Sequence, residues 1–129
     1  MADVNRGNRP LSPFMIGPYY RPQLTSMTSI LTRITGNAMG ITALLVVWWF
    51  LAAATSEGYF DMVNGILTSW FGDLVMFLSV LGLWYHTLAG IRHLIWDQGV
   101  GLEIGTAEKL GWACLIGSVV LTLITVVLV

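Results

Sequence analysis

The sequence predicts an all-α membrane protein of three transmembrane helices, led by an extended Pro-rich N-terminal arm. Three observations point there. Of 129 residues, 56% are hydrophobic and only 10% charged, against roughly one quarter charged in a soluble domain. Three stretches reach the ~20 predominantly apolar residues that a bilayer span needs: between Arg33 and Glu57, between Asp73 and Arg92, and from Leu110 to Val129. All the prolines fall at or before Pro22. Nothing large remains outside the spans, so a single membrane domain is expected over 25–129, with no soluble catalytic module.

The arm, 1–24, contains Pro10, Pro13, Pro18 and Pro22. It cannot be a continuous helix, because each ring removes a backbone donor and blocks the preceding turn. It is expected to lie in the cytoplasm, along the membrane surface or against a partner. It lacks the apolar region of a signal peptide and the Arg- and Ser-rich character of an organelle transit peptide. That favours a bacterial inner membrane over a mitochondrial one.

Helix one is expected over about 25–55. Ser56-Glu57-Gly58 offers its end, with Gly58 suited to a left-handed cap. Helix two is expected over about 66–97, with Asp73 available as a cap near its start. Helix three is expected over about 107–128. Its lone Cys114 cannot form an internal disulfide and reads as a small core residue.

Orientation follows from Lys and Arg. Arg6, Arg9, Arg21 and Arg33 precede helix one, and Arg92 and Lys109 flank the second connection, while the connection from Glu57 to Trp70 has neither residue type. The positive-inside rule places the N-terminus and the second connection in the cytoplasm. The tryptophans agree: Trp48, Trp49 and Trp70 fall near the outer interface, Trp96 and Trp112 near the inner one. The net charge of −1 and the lack of a basic patch give no reason to expect nucleic acid binding.

The principal functional candidate is His86, inside the uncharged run Leu74–Ile91. An ionisable ring at membrane depth is costly and marks a functional position by default. Gly82, His86, Gly90 and His93 follow at intervals of four, four and three, which aligns them on one helix face. Small residues there suit either a flat macrocycle ligated by the imidazole or plain helix packing. His93 lies nearer the interface with Asp97 four residues on, where a solvated or capping pair is the plain reading; a supporting role toward a propionate or headgroup is the alternative. On helix one, Ser29, Arg33, Gly36 and Gly40 form a second stripe. Arg33 reads either as a snorkelling anchor or, with Ser29, as donors to a carbonyl or anion such as a quinone would offer. If haem binds, one chain with two histidines on one face cannot supply both axial ligands, so a second chain must.

These residues carry a resemblance. His86-Thr-Leu-Ala-Gly90-Ile-Arg92-His93-Leu-Ile-Trp96-Asp97-Gln-Gly99 resembles the second signature of the cytochrome b556 membrane-anchor subunits of succinate dehydrogenase. Ser29-Ile-Leu-Thr32-Arg33-Ile-Thr35-Gly36 resembles their first signature, and Arg9-Pro10-Leu11-Ser12-Pro13 their N-terminal arm. The likeness covers essentially the whole chain. It implies half of a heterodimeric anchor bundle, completed by a second membrane-anchor subunit and surrounded by lipid, that holds an iron–sulfur subunit and a flavoprotein subunit. It further implies haem b shared with the second anchor through His86, with ubiquinone as substrate near Ser29 and Arg33. FAD and iron–sulfur clusters would sit only on the partner subunits. Arg33 would also lie near a haem propionate. Many members carry a histidine where this chain has Thr32, and another near Phe14; His93 or the partner would then supply the missing donor. The chain itself would not oxidise succinate. A haem-free structural anchor is the alternative, and a small proton conductor relaying through His86 ranks behind, because the centres of the spans contain no carboxylate.

Overall fold

The computed structural model describes residues 20–129. The arm through position 19, including Arg6, Arg9 and Phe14, lies outside the described residues. Four helices follow: α1 (Leu24–Thr55), α2 (Glu57–Leu67), α3 (Trp70–Asp97) and α4 (Ile104–Leu128). Of these, α1, α3 and α4 are long and apolar enough to cross a membrane, as the composition predicts. At 1.5 Å per residue, α1 is about 48 Å long, so it extends well beyond a hydrocarbon core of about 30 Å.

Helix α2 is a finding the sequence reading did not contain: the connection from Glu57 onward is helical. Ser56 explains the break before it. Its extended backbone ends α1, and its hydroxyl accepts a hydrogen bond from the Tyr59 N–H at 3.4 Å, capping α2. Gly58 therefore sits inside α2 with no left-handed backbone, and the expectation of a Gly58 cap is corrected. Two indoles from the end of α1 pin α2 back: Trp48 Nε1 donates to Tyr59 Oη at 2.7 Å and Trp49 Nε1 to Asn64 Oδ1 at 3.2 Å. The start of α3 is likewise corrected. Ser69 caps it by accepting from the Gly72 N–H at 3.2 Å, which leaves Asp73 in the first turn, where its charge complements the helix dipole.

Gly72 marks where α2 and α3 nearly touch. A Cβ there would collide with the backbone carbonyls of Ile66 and Leu67. Backbone atoms cannot step aside, so Gly72→Ala is expected to destabilise the turn by about 1–3 kcal/mol. A thermal melt of the purified complex should show the loss, and an unchanged midpoint would refute this reading.

The bundle centres on α3, which packs against both α1 and α4, while α1 and α4 touch less. Its interior is small and partly polar: Tyr85, Ala89 and Cys114 are buried together, with Thr28, Arg92, Ser118 and Thr122 also buried. Large apolar residues such as Ile34, Ile41, Leu44, Leu78, Leu83, Ile116 and Leu123 are exposed instead. Such an outside suits lipid and helical partners. Without a hydrophobic drive between helices in lipid, close approach of small residues and interhelical hydrogen bonds hold them together. Tyr85 Oη donates to the Thr28 carbonyl at 2.8 Å, Trp84 Nε1 to Thr125 Oγ1 at 2.9 Å, and Thr42 Oγ1 to Ser79 Oγ at 2.9 Å. The α3–α4 turn uses Gly99 and Gly101 in left-handed backbone, at φ 73° and 74°. Trp96 Nε1 closes it on the Gly101 carbonyl at 3.1 Å.

Candidate functional site

The site forms where α1 crosses α3. Gly36 makes the crossing possible: a Cβ at that position would stand 3.0 Å from His86 Cε1, so only glycine lets the ring lie against α1 without displacement. Gly82 helps from the other side, with Thr35 Cγ2 3.8 Å from its own would-be Cβ. Gly40 and Gly90, by contrast, face space with no heavy atom within 4 Å of such a Cβ. The two glycine stripes therefore divide. Gly36 and Gly82 serve helix contact, and Gly40 and Gly90 leave bare helix surface.

His86 is half-buried, and its ring is oriented by α1. Nδ1 lies 3.1 Å from the Thr32 carbonyl oxygen and 3.3 Å from Thr35 Oγ1. A carbonyl can only accept, so Nδ1 carries the proton and donates. Thr35 Oγ1 is also within donor reach of the Leu31 and Thr32 carbonyls, at 2.9 and 3.1 Å, so its lone pairs remain for the imidazole. With the proton fixed on Nδ1, Nε2 presents an unshared pair. It bonds no described residue and is not a buried unpartnered atom, so it opens on the surface of the chain. A backbone carbonyl on one ring nitrogen and a free pair on the other is the arrangement of a metal-ligating histidine. The residues present therefore fit a haem, which Nε2 would hold, with Gly90 and Gly40 as surface without bulk.

Thr32 occupies the position where the resemblance implies a histidine, and it contributes through its backbone carbonyl. Its hydroxyl donates to the Thr28 carbonyl at 2.8 Å, the same oxygen that receives Tyr85. Thr28, Thr32 and Thr35 thus form a polar ladder on α1 facing α3. The only sequence signal for it is three threonines at intervals of four and three.

Ser29 is half-buried and Arg33 exposed. They sit one turn apart on α1, and neither side chain bonds another described residue. His93 is exposed, with Nδ1 2.7 Å from the Ala89 carbonyl and its ring edge-on to Trp96, 5.3 Å between centroids. The expected pairing with Asp97 is absent among the described residues; the carbonyl one turn back takes the proton instead. His93 lies seven residues from His86, about 10 Å along the helix, too far to ligate the same atom. Among the described residues no group of three or more His, Cys, Asp or Glu converges as a metal site; a single axial histidine does not require one.

Arg92 is a buried cation that sequence reading did not single out. Taken as a charge flanking the membrane, it is in fact only 2% exposed. Its guanidinium carbon lies 4.7 Å from the centre of the Trp96 ring, and its Nε and Nη1 are buried without a hydrogen-bond partner among the described residues.

A family model described as succinate dehydrogenase/fumarate reductase transmembrane subunit matches residues 5–125. A protein of Paracoccus denitrificans named succinate dehydrogenase cytochrome b556 subunit is 50% identical over 127 residues, covering 98% of this chain and 96% of the relative. A Rickettsia bellii protein of the same name is 34% identical over 116 residues, covering 90% and 89%. A succinate dehydrogenase cytochrome b560 subunit of Reclinomonas americana is 34% identical over 113 residues, covering 84% and 77%.

Proposed function

Since the chain belongs to the succinate dehydrogenase/fumarate reductase transmembrane subunit family, and serves as a membrane-anchor subunit of succinate dehydrogenase, we propose that it binds haem b through His86 and forms part of the ubiquinone-reduction site through Ser29 and Arg33. The observation that carries the haem reading is the donation of His86 Nδ1–H to the Thr32 carbonyl, which leaves Nε2 as a ready ligand. A second ligand from protein would have to come from a second membrane-anchor subunit, because His93 lies on the same face of α3 as His86. Haem b, when bound, supplies a one-electron carrier within the membrane.

The rest of the chemistry belongs to the chain's own side chains. Ser29 offers a hydroxyl and Arg33 a fork of N–H donors one turn apart, at the end of the first span. A quinone carbonyl oxygen gains negative charge as it accepts electrons, and fixed donors placed where that charge develops stabilise it more than the neutral substrate. The apolar outer faces of α1 and α3 accommodate an isoprenoid tail beside them. Succinate oxidation, FAD and the iron–sulfur clusters reside on the flavoprotein and iron–sulfur subunits, docked on the cytoplasmic side. Lys and Arg distribution supports a cytoplasmic N-terminus in a bacterial inner membrane, and the family's Paracoccus and Rickettsia members fit that location. His93, at the same membrane level as Arg92, supports a propionate or headgroup.

The test is the visible difference spectrum, reduced minus oxidised, of the purified membrane complex. A haem b band with one haem per anchor pair is expected. A complex that oxidises succinate and reduces quinone with no such band would leave only the haem-free structural anchor.

A further inference from the structure

We propose that Arg92 is a positioning residue of an electrostatic kind: its buried positive charge raises the reduction potential of the haem held at His86. This rests on the haem reading above, and the experiment below separates the two.

Arginine keeps its proton in proteins, so a residue only 2% exposed here carries a full charge into the bundle. Nothing among the described residues cancels that charge. Asp97, Glu103 and Glu108, the acidic residues at this end of the bundle, are all exposed, and none pairs with Arg92. Nε and Nη1 have no acceptor. What holds the guanidinium is the face of Trp96, 4.7 Å away. An aromatic face favours a cation without neutralising it. Burial of an unpaired charge is among the most destabilising things a fold can retain, and plain packing would be served better by methionine or leucine.

Its place connects it to His86. Arg92 shares with Tyr85 and Ala89 the face of α3 turned toward α1 and α4. Beside Gly111, a Cβ would stand 3.4 Å from Thr28 Cγ2 and 3.6 Å from Arg92 Nη1, so the cation and Thr28 are neighbours. One turn along α1, the Thr32 carbonyl holds the His86 ring. Six residues of α3 separate His86 from Arg92, about 9 Å of rise. Over such a distance in a protein interior a unit charge still acts with more than thermal strength. It favours the form of a nearby centre that carries one more electron, so the ferrous haem gains over the ferric.

The test is an optical redox titration of the intact membrane complex carrying Arg92→Gln. The haem band is expected to persist while the midpoint falls, the ferrous form losing about tenfold, equivalent to about 59 mV for a one-electron couple. Arg92→Lys, which keeps the charge, should stay within a third of that shift. Gly111→Asp keeps the arginine but sets a carboxylate beside Nη1, and should lower the midpoint in the same direction. If Arg92→Gln and Gly111→Asp both titrate like the parent with the band present, the electrostatic role is wrong and the haem reading stands. A parent complex without a haem band overturns both. If neither variant assembles while Arg92→Lys does, the charge is needed for the fold, and that outcome counts against the proposal.

Discussion

His86→Ala is expected to abolish the reduced-haem absorption of the complex, or to convert it to that of a five-coordinate haem held by the partner alone. Alanine supplies no donor at all, and the other histidine cannot take over: His93 is about 10 Å further along the helix. Thr35 and Thr32 lie beside the ring but offer only a hydroxyl and a carbonyl, weak ligands for haem iron. The substitution also leaves the Thr32 carbonyl without the imidazole donor, though that oxygen keeps its place in the α1 ladder, so collapse of the helix is not expected. Assembly of the complex and succinate oxidation with a soluble acceptor provide the control. An unchanged spectrum in an assembled complex would remove His86 from the site.

Three spans were legible because a chain this apolar has few ways to fold, and the uncharged runs mark where hydrocarbon begins and ends. His86 was legible for the same reason: one ionisable ring in a long apolar run stands out by its cost. What orients it was not. The acceptor is the backbone carbonyl of Thr32, and a carbonyl leaves no trace in residue type, so the position looked deficient for lacking a histidine side chain. Gly36 could be placed on a stripe, yet its partner depends on the register between α1 and α3, which spacing within one helix does not fix. Helix α2 was hidden because its contacts, Trp48 with Tyr59 and Trp49 with Asn64, only exist once the chain has turned at Ser56. The burial of Arg92 was not legible either. A cation near the end of a span obeys the topology rule whether it points to water or inward. Its burial follows from Gly111 and Thr28 on two other helices, where small side chains leave room for it.

Arg33→Ala is expected to lower quinone reduction by about one to two orders of magnitude, while succinate oxidation with an artificial soluble acceptor continues. A hydrogen bond from a charged donor contributes about 1.5–3 kcal/mol, and each 1.36 kcal/mol on a barrier is tenfold in rate. Arg33 is exposed on its own chain, so truncating it removes no internal contact and should not disturb the fold. That separates it from Arg92, whose removal alters the interior. Arg33→Lys serves as the discriminating control. Lysine retains the charge at the membrane edge and would fully satisfy a snorkelling anchor, but it lacks the planar fork that grips a carbonyl oxygen from a fixed direction. Partial loss of quinone reduction in the lysine variant therefore supports a quinone ligand. Full activity in both variants would return Arg33 to the anchor role. Equal loss of both activities in the alanine variant would mean that the residue is needed for assembly, since on the proposed function the soluble-acceptor reaction would not pass through this chain.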